Sequence, residues 1–306
     1  MISTVFVGAV EGSRAALEAL IAAGRPPGLV VTLPPSAAAR HSDFAALAPL
    51  ARKAGIGVHE TTAINAPETL EAIRAFRPDL ALVIGWSQIC GEGFRGIPRL
   101  GTVGFHPAPL PRLRGRAVIP WTIILGETSS GSTLFWIDEG TDTGPILLQR
   151  QFDLAPDETS ATLYARHVRN LLKMVPEAVE MVELGTAPRD EQDHARASVC
   201  ARRRPSDGRI DWHAPAGEVE RLVRALGGPY PPAFTEFDGT RVAIQRARIP
   251  ANAPAYVGFP GQVQFRDGQT AFDVLCGDGR CLRVTEWSAD APAGAHWIPP
   301  NHARFS

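Results

Sequence analysis

Two side chains between residues 101 and 149 have the chemistry of a proton-transfer site. His106 begins the segment HPAPLPRLRG, whose three prolines prevent the backbone from continuing a sheet ladder or entering a helix. A histidine where a strand gives way to a rigid loop has a fixed backbone and an open side, as a general base requires. Asp142, in the turn GTDTG, can fix the tautomer of that ring and favour its charged form. Taken alone, the two residues are equally compatible with an ordinary loop histidine and an ordinary turn aspartate.

The elements that must position these residues alternate between strand and helix. Apolar runs predict strands at 4–9, 29–33 and 80–85, a short strand near Val58, and a strand-like run at 132–137. Helical spacing predicts helices at 13–23, 44–54, 67–76 and 161–184. This alternation is typical of a Rossmann-like, doubly wound and mainly parallel sheet covered on both faces. Ligands of such sheets bind beyond the carboxyl ends of the strands, where the strand order reverses.

Composition narrows the class of protein. The chain has 306 residues, enough for two domains, and a net charge of −1 without blocks of like charge, which disfavours nucleic-acid and anionic-membrane partners. No apolar run approaches the roughly 20 residues that span a bilayer, and the N-terminus lacks the basic segment of a signal peptide. The four cysteines are scattered, without metal-ligand spacing. These features predict a cytoplasmic protein with no membrane segment and no metal.

The central stretch resembles the signature of the 10-formyltetrahydrofolate-dependent formyltransferases. The family pattern is Asn-x-His, then S-L-L-P-x-x-R-G, then a glycine-containing strand that leads to D-x-G. His106 matches the histidine, the segment LPRLRG at 110–115 matches the loop, and Asp142 with Gly144 matches the aspartate turn. The resemblance therefore implies that His106 is the base and Asp142 its orienting and proton-relaying partner.

The chain departs from this family at one catalytic position. Gly104 stands where the family has the asparagine whose amide stabilises the developing oxyanion, and loss of such a donor typically costs about 10²–10³ in rate. Protonated His106, a backbone N–H near residues 104–106, or a water molecule are the candidate substitutes. We also expect Gly104 to make room for an unusual acceptor.

The resemblance also implies a folate site in the first domain, with 10-formyltetrahydrofolate as co-substrate. One wall is expected at the loop that follows the strand at 80–85, and the other at the run that precedes Asp142. An apolar slot with a few backbone donors and acceptors suits a flat heteroaromatic ring. The candidate residues are Trp86, Ser87, Gln88, Ile89, Ile137, Asp138, Glu139 and Gly140.

The C-terminal part predicts a second, smaller domain. Residues 191–205 are polar and end in a run of arginines, which is typical of a linker. Beyond it, short strands and the hairpin signal Asp238-Gly239 suggest a small barrel. The phrases DGRIDW and RALGGPYPPAFT resemble the oligonucleotide-fold-like domain of this family. We therefore predict a catalytic, folate-binding domain at 1–190, a linker at 191–205 and an OB-like β-barrel domain at 206–306.

The predicted activity is transfer of a formyl group to the primary amine of a small acceptor, and an amino-sugar nucleotide fits best. Arg112, Arg114 and Arg116 are candidates for a phosphate or carboxylate of that acceptor. A nearly neutral chain argues against tRNA, because phosphate contacts supply most nucleic-acid affinity. A homodimer is compatible with this hypothesis. The alternatives are a 10-formyltetrahydrofolate hydrolase, a methionyl-tRNA formyltransferase and a folate-binding homologue without catalysis.

Overall fold

The computed structural model describes residues 1–40, 43–252, 254–290 and 297–306. The described residues group into two compact units. The first contains Met1–Val118, Ser129–Asp153 and Tyr164–Ala201, and the second contains Ile119–Thr128, Leu154–Leu163 and Arg202–Ser306. Two short segments from the middle of the chain thus belong to the C-terminal unit.

The first unit is built on a seven-stranded sheet in the order β3-β2-β1-β4-β5-β7-β8. β1 to β5 are parallel, whereas β7 runs antiparallel to both β5 and β8. The strands are β1 (Thr4–Val7), β2 (Leu29–Thr32), β3 (Gly57–Glu60), β4 (Leu80–Val83), β5 (Gly101–His106), β7 (Ser129–Trp136) and β8 (Ile146–Asp153); two short strands, β6 (Arg114–Gly115) and β9 (Val199–Cys200), pair with each other. The strand order reverses between β1 and β4, as in a doubly wound sheet.

Helices cover both faces of this sheet. They are α1 (Glu11–Ala22), α2 (Ala48–Lys53), α3 (Pro67–Phe76), α4 (Glu92–Arg95) and most of α6 (Ser160–Glu183). Because side chains alternate along a strand, Phe6 packs in the core with α1, α2 and α6, whereas Val5 and Val7 pack in the core with α3 and α4. The predicted Rossmann-like fold class is confirmed.

β5 carries the central histidine on one defined face of the sheet. Val103 packs in the core on the α6 face, so Gly104 and His106 lie on the α3–α4 face. The turn that bears Asp142 follows β7, which is antiparallel to β5. The alternation of strands and helices suggested that this turn extends from the carboxyl end of another parallel strand. Instead, the turn that bears Asp142 folds back over the sheet face that carries His106.

The second unit contains a five-stranded antiparallel sheet in the order β10-β11-β14-β13-β12. Its core joins this sheet to one amphipathic helix and is rich in aromatic side chains, with Phe272 and Trp287 at 4.9 Å between ring centroids. The predicted hairpin is present: Phe237 pairs with Thr240 across Asp238-Gly239. The elements are α7 (Ala216–Ala225), β10 (Ala233–Phe237), β11 (Thr240–Arg248), β12 (Val263–Asp267), β13 (Ala271–Leu275) and β14 (Cys281–Ala289), and the unit also holds most of α5 (Val118–Ile124).

Candidate active site

His106 is the last residue of β5, and its ring is buried, with 5% of the residue exposed. Its Nε2 lies 2.7 Å from the carbonyl oxygen of Leu113. Because a carbonyl can only accept, Nε2 carries the proton in this contact and Nδ1 is the basic nitrogen. Nδ1 faces Oδ2 of Asp142 at 3.6 Å. In the neutral ring, two acceptor atoms face each other across this gap, so the pair is arranged to take up one proton.

Asp142 is held through both its backbone and its carboxylate. Its φ is +55°, the left-handed conformation that costs a non-glycine residue about 1 kcal/mol. The N–H of Gly115 donates to Oδ2 at 2.8 Å. Gly144 lies two positions after Asp142. A Cβ on Gly144 would lie 1.8 Å from the carbonyl oxygen of Trp136, so only glycine can close this turn. The turn thus presents the carboxylate to His106 in one orientation.

Left-handed backbone is concentrated around this pair. Leu113, Ala117 and Asp142 have φ values of 58°, 53° and 55°. Leu113 supplies the carbonyl that fixes the ring of His106, and Gly115, with φ of 97°, supplies the amide that fixes Asp142. Residues persist in such conformations where their surroundings over-determine them, and they cluster at functional sites. The backbone therefore points to this corner independently of the side chains.

The space above Gly104 is filled by apolar side chains. A Cβ at this position would lie 3.0 Å from Cγ1 and Cδ1 of Ile137 and 3.1 Å from Cε1 of Phe135. The expectation that Gly104 makes room for the acceptor does not describe this corner, because Ile137 packs there. The N–H of Gly104 cannot replace the missing amide either. Gly104 pairs with Val83 of β4 and with Phe135 of β7, so its N–H lies in the plane of the sheet.

Trp86 and Ile137 form apolar walls on the same face of the sheet. Both pack, half-buried, against the cluster of strand side chains on the α3–α4 face. Nε1 of Trp86 is buried and has no hydrogen-bond partner among the described residues. A buried donor without a partner is costly, so it is a candidate for a ligand contact.

The rest of this loop is shaped by hydrogen bonds to its neighbours. Oε1 of Gln88 accepts from the N–H of Ile64 at 2.9 Å, and its Nε2 donates to the carbonyl of Thr62 at 2.6 Å. The side chain of Gln88 therefore positions the loop rather than facing a ligand. Ser87 is exposed, and Ile89 is 67% exposed, which is unusual for a large apolar residue.

The segment before Asp142 is also internally bonded. Oδ1 of Asp138 accepts from the N–H of Gly140 at 3.0 Å and from the hydroxyl of Thr143 at 2.6 Å. Glu139 is exposed. This arrangement commits Oδ1 of Asp138 to the turn and thereby fixes the backbone of 138–140.

The three arginines of the central loop occupy different environments. Arg112 and Arg116 are exposed, and Nη2 of Arg116 donates to the carbonyl of Ser87 at 2.6 Å. Arg114 is buried, and its Nε and Nη2 donate to Oε1 of Gln192 at 3.2 and 2.6 Å. A guanidinium committed in the interior cannot meet an acceptor arriving from solvent. Arg114 therefore supports the site from within.

Residues 188–200, named here the brace, contact the site from behind and carry no motif. The amide of Gln192 donates to the carbonyls of Asp142 at 3.0 Å and Gly144 at 2.6 Å. Ser198 accepts through its carbonyl from the N–H of Arg114 at 2.8 Å and through its hydroxyl from the N–H of Leu113 at 2.9 Å. These contacts span 48 to 85 positions, within a polar and aperiodic segment. No local sequence signal could have indicated them.

The described part of the chain offers neither a metal cluster nor a membrane-spanning helix. None of its His, Cys, Asp and Glu side chains form a group of three or more that could hold a metal ion. Within the same ranges, every helix is too short or too polar to cross a membrane. The site is therefore described by the groups around His106 and Asp142.

Comparison with known proteins identifies the class. Residues 27–179 match the family described as Formyl transferase, and residues 203–293 match the family described as Formyl transferase, C-terminal domain. The chain belongs to the formyl transferase family. The predicted enzyme class, an N-formyltransferase, and the predicted formyl donor, 10-formyltetrahydrofolate, are confirmed at the level of this family.

Individual relatives and solved structures differ in the molecules that their names give. The chain is 34% identical to methionyl-tRNA formyltransferase of Anaeromyxobacter dehalogenans over 92% of this chain and 90% of that protein. An N-formyltransferase of Helicobacter canadensis, solved with folinic acid and dTDP-3-aminofucose, has a TM-score of 0.66 at 18% identity, covering 93% of this chain and 99% of that one. HypX of Aquifex aeolicus, solved with tetrahydrofolic acid, has a TM-score of 0.66 at 19% identity; 95% of this chain spans 44% of that chain.

Proposed function

We propose that this protein transfers the formyl group of 10-formyltetrahydrofolate to the primary amine of a small acceptor, an amino sugar carried on a nucleotide. The observation that supports the chemistry is the pair formed by buried His106 and half-buried Asp142, with the ring tautomer fixed by Leu113 and the carboxylate fixed by Gly115. Such a pair takes one proton and can return it, as amine acylation requires.

In this mechanism the chain's own groups move one proton. The acceptor nitrogen attacks the formyl carbon, and the proton that it loses passes to Nδ1 of His106, with Asp142 as relay. His106 then returns a proton to the nitrogen that leaves the formyl carbon. The charged imidazolium, held beside Asp142, is also the group that can stabilise negative charge on the formyl oxygen, because Gly104 has no side-chain donor.

The residues around Trp86 fit the folate ring. Trp86 and Ile137 offer apolar surface, and the buried Nε1 of Trp86 offers a donor without a partner among the described residues. We assign the ring to this face, held by the side chains of Trp86 and Ile137 and the backbone of 87–89 and 138–140. Gln88 and Asp138 then act by shaping these two segments.

The acceptor assignment rests on charge. Arg112 and Arg116 are exposed on the loop that also contains Leu113, so a phosphate of a small acceptor can lie near them. The net charge of the chain is −1, which suits a small anion better than a large polyanion.

Methionyl-tRNA is the second candidate acceptor. The relatives that are 31% to 34% identical carry the name methionyl-tRNA formyltransferase, so the expectation that tRNA is an unlikely partner is not supported. The two candidates differ in salt dependence, because a polyanion releases many counterions when it binds and a sugar nucleotide releases few.

The test is the formation of tetrahydrofolate by the full chain from 10-formyltetrahydrofolate. The acceptors to compare are dTDP-linked amino sugars, methionyl-tRNA and water alone, with mass spectrometry of the formylated product. We expect turnover that depends on the amino sugar and is absent in His106→Ala. Formylated methionyl-tRNA as the only product would replace the proposed acceptor, and turnover in water alone would identify a hydrolase.

A further inference from the structure

We propose that Gln192 is a positioning residue for the reaction: through its side-chain amide, the brace holds the carboxylate of Asp142 against His106. The inference rests on the roles proposed above for His106 and Asp142. It assigns a function to a segment that the sequence presents as a polar tether.

Every hydrogen-bonding group of the Gln192 side chain is committed to the site. The residue is 5% exposed. Its Nε2 donates to the carbonyls of Asp142 and Gly144, the residues on either side of Thr143. Its Oε1 accepts two bonds from Arg114. The amide thus fixes the backbone on both sides of Thr143, and with it the direction in which the side chain of Asp142 leaves the turn.

The same amide also controls the donor that touches the carboxylate. Arg114, which Gln192 holds through Oε1, is followed directly by Gly115, whose N–H donates to Asp142. Arg114 is anchored a second time, because its own N–H donates to the carbonyl of Ser198 at 2.8 Å. Gln192 therefore binds the aspartate turn directly. Through Arg114 it also holds the loop on the other side of the carboxylate.

Positioning matters here because the catalytic contact has little tolerance. Nδ1 of His106 and Oδ2 of Asp142 are 3.6 Å apart, just beyond hydrogen-bond length, so the two groups must approach for a proton to pass between them. Further separation would break the proton path, and a displacement of about 1 Å at a reacting group can lower a rate roughly 10²-fold. The left-handed φ of Asp142 costs about 1 kcal/mol, which the contacts around the turn offset.

The sharpest variant is Gln192→Glu. It keeps the volume and the acceptor for Arg114 but replaces the two donated bonds by an acceptor that faces two carbonyls. We expect kcat for tetrahydrofolate formation to fall about 10- to 100-fold, while KM for 10-formyltetrahydrofolate changes less than about threefold. Gln192→Leu, which loses all four bonds, is the second variant, so that failure of one protein to fold does not end the test.

A second readout does not depend on the acceptor. Hydrogen exchange of the Gly115 amide reports its bond to Asp142, because that N–H is protected only while the carboxylate is in place. We expect exchange at Gly115 to accelerate about tenfold or more in Gln192→Glu, as in Asp142→Ala. Unchanged exchange at Gly115 in a folded Gln192→Glu protein would overturn the proposal.

The matched control is Gln149→Leu. Gln149 also donates its amide to a main-chain carbonyl, that of Leu110, but its amide does not contact the aspartate turn. This variant should leave exchange at Gly115 unchanged. A loss of protection equal to that in Gln192→Glu would reduce Gln192 to a general stabilising contact and overturn the inference.

The double variant separates this inference from the proposed function. If Gln192 acts through Asp142, then Gln192→Glu lowers kcat little further in an Asp142→Ala protein; additive losses would contradict the inference. An active Asp142→Ala enzyme would contradict the proposed function instead. If Asp142→Ala is inactive while Gln192→Glu keeps full activity, only the proposed role of Gln192 is contradicted, and the role of Asp142 stands.

Discussion

His106 and His167 are both buried histidines of the first unit, on opposite faces of the same sheet. They are 5% and 2% exposed. His106 pairs in the ladder with Thr133, and His167 contacts the adjacent residue Ser132, whose side chain points to the other face. The two rings therefore differ in their neighbours rather than in their burial.

Those neighbours give the two rings opposite chemistry. Nδ1 of His167 meets the hydroxyl of Ser132 at 2.9 Å, and its Nε2 is buried without a partner among the described residues. Burial, and then the charges of His106 and Arg166, lower the pKa of His167 from 6.5 to about 3, so this ring stays neutral. His106 instead faces a carboxylate. Burial alone produces an inert histidine, and a base needs a partner for its charged form.

The largest expected effect on kcat comes from removing His106 or its partner Asp142. His106→Ala and Asp142→Ala should each lower kcat about 10³-fold, because the proton path requires both groups. The double variant should be no slower than the slower single variant. The control is His167→Gln, on the other face of the sheet, which should keep kcat within about threefold. Steady-state kinetics of the four proteins decide the point, and a slow His167→Gln enzyme would mean that both histidines serve catalysis.

An intermediate effect is expected at the apolar corner beside His106. Gly104→Asn should lower the rate about tenfold, because its Cβ would lie 3.0 Å from Ile137 and displace a wall of the proposed folate site. Ile137→Val in the same protein shortens the obstructing side chain but keeps an apolar wall, and it should recover part of the loss. The measurement is kcat/KM for the single and double variants. A faster Gly104→Asn enzyme would show that Ile137 yields and that the site simply lacked its amide.

The smallest expected effect concerns the inert histidine. The pKa of His167 is lower in the folded state than in the unfolded chain, so the unfolded chain binds more protons between about pH 3 and 6.5. The stability associated with His167 is therefore complete above pH 6.5 and is lost as the pH falls. Between pH 7.5 and 5.5, the free energy of unfolding should fall by about 1 kcal/mol more in the natural protein than in His167→Gln.

Urea titrations at the two pH values measure this difference. His213→Gln, which changes an exposed histidine of the second unit, is the control and should retain the pH dependence of the natural protein. Equal pH dependence in the natural protein and in His167→Gln would mean that the ring of His167 takes up a proton in the folded state as readily as in the unfolded chain.

Local signals were enough to predict much of the fold. Helix α3 spans Pro67–Phe76, the predicted range, because a proline opens it and apolar residues follow at helical spacing. The two-residue hairpin at Asp238-Gly239 forms because both residues accept positive φ. Strand β8 was not predicted: its sequence ILLQRQFD lacks regular alternation, and its half-buried residues are held by pairing with β7.

Only the site residues that belong to the family motif could be predicted from the sequence. His106 and Asp142 could be paired from the sequence because the family pattern joins them. The sequence RLRGR could not show which of its arginines is buried, since the loop geometry that turns Arg114 inward comes from Ser198 and Gln192. The residues that fill the space above Gly104 were equally hidden, because Ile137 and Phe135 come from β7 and its end, more than 30 positions along the chain.

The brace also sets the order in which a newly made chain becomes competent. The ribosome delivers the loop at Leu113 long before Ser198, which lies 85 positions later and caps its amide. Until then, a nascent chain carries His106 and Asp142 without the contacts that hold them in position. A chain truncated or fused to another protein at residue 190, the predicted end of the first domain, would lack Gln192 and Ser198 and would stay in that state.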